Sequence, residues 1–236
     1  MDTTKIKRYT VLGILFFLPV VFLIMLLPAK HNYTALDIVG ENIKELSTLD
    51  GEEEIALTDH ITVLGFLGKH PLDNVTSASN LKEMIYDKFR GFKKFQIILI
   101  SANGTEEDVE RLKEEINDYE SLKFFHFVFA SPAEILGIFN SLDSNIALDA
   151  NLSSQYVYII DKELNQRGRI EDRISNSGKI RKTPTPLTSY NTIEVAELKN
   201  KMSEDMRVLL TEYRQKRKGE FNSTVRRAED LKNDGE

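Results

Sequence analysis

The segment Ile61-Thr62-Val63-Leu64-Gly65-Phe66-Leu67-Gly68 has an apolar side chain or glycine at every position except Thr62. A short, nearly continuous apolar run is typical of a strand buried on both faces, at the centre of a sheet that helices cover. Three later segments have the same character: Phe95–Ser101, Lys123–Ala130 and Tyr156–Asp161. We therefore predict a sheet built around these four strands.

Helical periodicity separates these strands. Residues 77–89 place apolar side chains on one face, and Ser77 or Ser79 is expected to cap that helix. Thr105, followed by three acidic residues, begins a second helix, and Ser131-Pro132-Ala133-Glu134 is a capping box for a third. A last long helix carries one apolar stripe, formed by Val195, Leu198, Met202, Met206, Leu209, Leu210 and Tyr213.

The order of these elements predicts an α/β sandwich with a mixed sheet, because residues 166–170 are placed to pair back with the fourth strand as a hairpin. We expect one globular domain over residues 45–213, preceded by a tether at 30–44 and followed by a charged tail at 214–236. Residues 180–186 are basic and contain two prolines. We interpret them as an extended linker, and contact with an acidic partner or with lipid headgroups is the alternative.

Composition excludes several classes of function. Cysteine is absent from the 236 residues, which removes disulfides, thiol catalysis and thiolate metal sites. The net charge of −6 argues against nucleic acid as a partner, because phosphate binding requires clustered positive charge. No glycine-rich phosphate loop, serine nucleophile elbow or zinc-protease motif occurs. We therefore predict a protein that is not an enzyme.

The N-terminus predicts a membrane anchor. Basic residues at 1–8 precede an uncharged run at 9–29, which as a helix is about 31 Å long, close to the thickness of a bilayer core. A cleaved signal peptide is the alternative, although the run is long for one and lacks a small-x-small exit. The positive flank indicates a cytoplasmic N-terminus, and the domain is then exported. The inner membrane of a bacterium, with the domain in the periplasm, is the expected location.

Three motifs resemble the Sco/SenC family, whose members are thioredoxin-like proteins held by one N-terminal helix. Leu49-Asp50-Gly51, before a strand that ends Gly65-Phe66-Leu67-Gly68, is similar to the family's "DG…FFGFT". Tyr158–Asp161 followed by Gly168-Arg169 is similar to its "YLID…GR", and Ile100-Ser101 before an acidic helix start is similar to its "ISIDPERDTPE". The resemblance implies a thioredoxin-like fold and a part in copper insertion into cytochrome oxidase.

The copper ligands of that family are missing here. The family binds copper with a Cys-x3-Cys-Pro loop and a histidine before the "YLID" strand. This chain has Lys69-His70-Pro71-Leu72-Asp73-Asn74 at the loop and Ser153 near the position of the histidine. Cu(I) prefers soft thiolate and thioether donors, so hydroxyl and amide groups do not replace them. We predict neither catalytic residues nor a bound cofactor.

His70 and His60 are the main remaining candidates for chemistry. His70 with Asp73 forms at most a weak imidazole–carboxylate metal site, and a solvated loop histidine is the simpler interpretation. His60 lies at the other end of the first central strand, about 25 Å away, so the two are not expected to share one ion. His126 falls within an aromatic strand, where a packed and hydrogen-bonded side chain is expected.

Two functional hypotheses follow. The first is a membrane-anchored, non-catalytic, Sco-like domain that binds another protein in the membrane or periplasm during assembly of a respiratory oxidase. The second is a copper-handling protein with a weak site at His70 and Asp73. A purely structural anchor is a third reading that the sequence leaves open.

Overall fold

The computed structural model describes residues 3–26, 35–46, 55–117, 122–176 and 178–219. The chain divides into two compact units, Met1–Thr34 and Ala35–Glu236. The turn predicted at Leu49-Asp50-Gly51, and the part of the predicted tail beyond residue 219, lie outside the described residues.

The first unit contains one helix, α1, at Thr3–Leu26. Pro19 lies inside this helix, and its large apolar side chains from Tyr9 to Met25 are exposed. Within the part of the chain that the structure describes, no helix is long and apolar enough to cross a membrane. The transmembrane anchor predicted over residues 9–29 is therefore not confirmed, and residues 27–29 of that run lie outside the described part.

The second unit is built on one sheet. Its strands are β1 (Asp37–Gly40), β2 (Ile61–Gly68), β3 (Phe95–Ala102), β4 (Phe125–Ala130), β5 (Ser154–Ile160), β6 (Gln166–Ile174), β7 (Ile180–Leu187) and β8 (Tyr190–Asn191). Its helices are α2 (Val75–Leu81), α3 (Asp87–Phe89), α4 (Glu106–Ile116), α5 (Pro132–Phe139), α6 (Val195–Glu197) and α7 (Ser203–Lys218). A 3₁₀ turn at Pro71–Asn74 precedes α2, and π-helical turns at Lys82–Tyr86 and Leu198–Met202 join α2 to α3 and α6 to α7.

The strand order is β1-β6-β5-β2-β3-β4, with β7 paired to β6 and β8 to β5. Strands β2, β3 and β4 are parallel, whereas β5 is antiparallel to β2 and β6 is antiparallel to β5. A parallel pair joined through helices, with an antiparallel hairpin added on the other side of the first strand, is the arrangement of the thioredoxin fold. The mixed sheet and the four central strands predicted from the sequence are confirmed.

Helices cover both faces of the sheet. One apolar core lies under α2, α3, α4 and α7, and it includes Ile85, Ile97 and Met206. A second core lies under α5 and includes Phe66, Ile100 and Tyr158. Because β2 and β3 are buried along their whole length on both faces, only continuous apolar runs suit them.

The structure differs from the sequence-based expectation at two strands. β1 lies within the stretch expected to be a tether, and it pairs with the start of β6. β7 occupies the stretch interpreted as a linker, and it pairs with β6 from Arg169–Leu187 to Ile174–Ile180. Pro184 and Pro186 made this stretch look unlike a strand in the sequence. Proline is nevertheless tolerated in an edge strand, because the N–H that it lacks would point away from the sheet.

Glu45 joins the beginning of the domain to the approach to β2. Its carboxylate accepts hydrogen bonds from the backbone N–H groups of Leu46, Leu57 and Thr58 and from Thr58 Oγ1, at 2.6–2.8 Å. Burial alone would raise the pKa of Glu45, but these hydrogen bonds outweigh it and hold the pKa below the ordinary value of 4.5.

Replacing Glu45 with glutamine is expected to lower the free energy of unfolding at neutral pH by about 1–2 kcal/mol, since the side chain is part-exposed and only partly desolvated. A carboxylate with a lowered folded-state pKa stabilises the protein above its unfolded-state pKa, and this contribution is lost as the pH falls through the folded-state value. Urea melts of both proteins from pH 7 to pH 3 test this. The difference should shrink only below the ordinary pKa of 4.5, and a constant difference would contradict it.

Candidate binding cleft at the end of the central strand

A cleft of about 390 Å³ opens beyond the carboxyl end of β2. The loop after β2 forms one wall, and the segment that leads into β5 forms the other. The carboxyl ends of parallel strands are the usual place for a site in sheets of this kind. The cleft is lined by His70, Asp73, Asn74, Ile146, Ala147, Asp149, Asn151, Ser153, Ser154, Gln155 and Tyr156.

The first wall is held tightly against the second. Gly68 has a φ of +66°, and a Cβ at this position would lie 2.1 Å from the carbonyl oxygen of Asn151, so only glycine fits. The N–H of Lys69 donates to that same oxygen at 2.8 Å. Asn74 is buried, and its Nδ2 donates to the carbonyl of Leu67 at 3.3 Å. These contacts make the wall part of the folded frame.

Asp149 organises the second wall. Its Oδ1 accepts from the N–H groups of Asn151 and Ser153, each at 2.8 Å, and its Oδ2 accepts from Ser153 Oγ at 3.0 Å. Burial opposes ionisation, but the hydrogen bonds from Ser153 and Asn151, together with the nearby charge of His70, lower the pKa of Asp149. The turn is therefore closed by an ionised carboxylate at neutral pH.

The strand behind this wall is irregular. Leu64 of β2 pairs with Tyr158 of β5, but Phe66 pairs with Ser154, so β5 contains extra residues between the two pairs. A bulge re-aims the side chains of the strand that carries it, and bulges are common beside functional sites. Here the extra residues include Gln155 and Tyr156, which line the cleft.

The structure brings together the residues that the sequence singled out at this loop. His70, Asp73 and Ser153 line the same cleft. The sequence interpretation missed Asp149, although an aspartate followed by Asn151 and Ser153 is a pattern typical of a side chain that closes its own turn.

His60 and His126, the other histidines considered from the sequence, lie elsewhere. His60 and His126 line a separate cavity of about 350 Å³, together with Gln96, Lys123 and Phe124. The Nδ1 atom of His60 is 3.1 Å from the carbonyl oxygen of Thr58, and Gln96 Nε2 donates to the carbonyl of Ala56 and to Thr62 Oγ1. His60 and His70 therefore line different cavities.

The donor set of the cleft does not fit copper of the kind that the family resemblance implies. The chain contains no cysteine, and the cleft offers one imidazole, carboxylates, hydroxyls and amides. Cu(I) requires softer donors. Among the residues that the structure describes, no three His, Cys, Asp or Glu side chains are grouped to hold a metal ion. What this cleft offers is an open, polar and pre-shaped surface.

No protein-family model and no curated relative matches the chain. Among solved structures, it is similar to a Sco/SenC family lipoprotein from Bacillus anthracis, with 12% identity and a TM-score of 0.48 over 74% of this chain and 97% of the other. The apo Sco protein of Thermus thermophilus shows 14% identity and a TM-score of 0.44 over 77% and 99% of the two chains. A copper-bound Sco protein from Arabidopsis thaliana shows 15% identity and a TM-score of 0.38 over 66% and 90%.

Proposed function

We propose that this chain is a non-catalytic, Sco-like binding module that holds a segment of a partner protein in the cleft beyond β2. The observation that carries this proposal is the cleft itself, whose two walls are locked together at Gly68 and Asn151 and which exposes polar groups without a thiol. A site shaped before binding loses little conformational entropy when a partner docks, which favours recognition.

The composition of the cleft indicates an extended peptide as the occupant. His70, Asp73, Ser154 and Gln155 contribute imidazole, carboxylate, hydroxyl and amide groups to the lining, and Tyr156 adds an aromatic ring. Such a surface suits the backbone N–H and C=O groups of a chain, together with a few side chains, better than one compact ligand of single charge.

We further propose that the protein works at a membrane, on the exported side, during assembly of a respiratory oxidase. The exposed apolar side chains of α1 and the basic residues before them support contact with lipid. The sequence motifs shared with the Sco/SenC family support the setting.

Site-specific photo-crosslinking tests the cleft. A photoreactive amino acid at Gln155, which is exposed in the cleft, is expected to capture a partner in native membranes. The matched control carries the same group at Glu114, an exposed position on α4 away from the cleft.

Asp149→Ala in the Gln155 probe should reduce the crosslinked product, because the second wall loses its three hydrogen bonds. Mass spectrometry of the product identifies the partner and shows whether it belongs to oxidase assembly. Equal capture from Glu114, or no capture from Gln155, would rule out the cleft as the docking surface.

A further inference from the structure

The tip of the β6–β7 hairpin, formed by residues 173–176 and 178–182, exposes two isoleucines to solvent. Ile174 and Ile180 are directly paired across the two strands, so their side chains lie on the same face. They are 49% and 82% exposed. Isoleucine side chains that are this exposed at the end of a hairpin are available for burial against another surface.

Cations surround this apolar pair. Lys179 and Lys182 are exposed and make no ion pair within the described part of the chain. Arg173 is also exposed, and Glu171, at 3.4 Å, is the acid that faces it. Asp172 is the other acid of the hairpin, but it is buried and bonded to Lys201 at 2.6 Å. The tip is therefore cationic in a chain whose net charge is −6.

The hairpin is fixed to the rest of the domain both at its base and at its turn. Arg169 donates three hydrogen bonds to Asp205 of α7, at 2.6–3.0 Å. Asn176 Nδ2 donates to Glu197 Oε2 at 2.8 Å. A hairpin held at both places presents its exposed side chains without a large ordering cost on binding.

The free edge of β7 is poorly suited to another strand. Pro184 and Pro186 carry no N–H, and proline in an edge strand leaves the gap on the side that faces away from the sheet. A strand from a second copy of the chain would therefore find no N–H donor at these two positions of the edge. The apolar pair flanked by lysines remains the part of the hairpin with contact surface to offer.

We propose that the hairpin tip docks on an anionic lipid surface, with Ile174 and Ile180 entering the headgroup region and Lys179 and Lys182 facing lipid phosphates. Exposed apolar side chains ringed by lysine and arginine are the combination that binds the surface of a charged bilayer. The assignment is independent of α1 and of the cleft.

Vesicle co-sedimentation tests the proposal with a chain that begins at Ala35. This chain keeps both cores, because the buried core side chains of the described residues all lie between Leu36 and Leu209. It is expected to bind vesicles of phosphatidylglycerol and phosphatidylcholine, to ignore pure phosphatidylcholine, and to release as salt rises. Lys179→Glu with Lys182→Glu should weaken binding more than tenfold, at about 1 kcal/mol for each charge near the surface. Ile180→Ser should weaken it about tenfold.

Matched controls separate the tip from general charge and apolarity. Lys93→Glu with Lys94→Glu changes the net charge by the same amount at another exposed site, and Leu136→Ser removes an exposed apolar side chain from α5. Both should bind as the parent does. Absence of binding to anionic vesicles, or equal losses in the controls, would overturn the proposal. Dimerisation in the ultracentrifuge that Ile180→Ser abolishes would overturn it in favour of a second copy.

Discussion

Replacing Phe66 with alanine is expected to lower the free energy of unfolding by about 3–5 kcal/mol. Phe66 lies near the carboxyl end of β2 and is 1% exposed. Its ring meets those of Phe139 and Tyr158 edge to face, with centroids 5.4 and 6.4 Å away. Alanine would leave a cavity between β2 and α5 that neighbouring strands cannot close. A loss of this size is a large fraction of the stability of an ordinary domain.

Urea denaturation of the chain that begins at Ala35 measures this loss. Phe92→Ala is the matched control, because the same side chain is 47% exposed there and should cost less than about 1 kcal/mol. Equal losses at the two positions would show that Phe66 is not in the core. Because Phe66 directly precedes Leu67 and Gly68 at the cleft, Phe66→Ala should also reduce crosslinking from Gln155.

Replacing Arg167 with methionine is expected to lower the free energy of unfolding by about 3–5 kcal/mol, because it leaves buried charges without their partner. Arg167 is buried, and it donates to Asp161 at 3.1 Å, to Glu212 at 2.6 Å and to the carbonyl of Leu36 at 3.0 Å. Both carboxylates are buried as well, so the variant leaves two buried negative charges without the positive charge of Arg167. Glu212 retains Lys216 at 2.8 Å, whereas Asp161 loses its only ion-pair partner among the described residues.

Two comparisons separate charge from packing in this result. Arg173→Met removes the same group from the same strand, but its pair with Glu171 is exposed and should be worth less than about 0.5 kcal/mol. Adding Asp161→Asn and Glu212→Gln to Arg167→Met should restore much of the lost stability, since no buried charge is then left unpaired. If the triple variant is no more stable than Arg167→Met, the loss arises from packing and not from charge.

The central strands could be predicted from the sequence because burial on both faces produces a local run of apolar residues. β2 and β3 are buried at every position, and such strands need continuous apolar runs whatever their partners are. The helix that begins after Ser131 could be predicted in the same way. The predicted capping box is present, and Ser131 Oγ accepts a hydrogen bond from the N–H of Glu134. The place of His70 after the central strand followed from the same pattern.

Only the tertiary structure decided which distant residues meet. β7 has the composition of a linker, and it is a strand because β6 offers it a partner. Asp149 lines the cleft because the close approach of Gly68 to Asn151 places the turn of Asp149 against the loop that contains His70. Arg167, Asp161 and Glu212 form a buried cluster although the last two are 51 residues apart in a chain rich in charged residues. Periodicity reports whether a side chain is buried, but the pairing of strands and charges depends on contacts between segments far apart in the sequence.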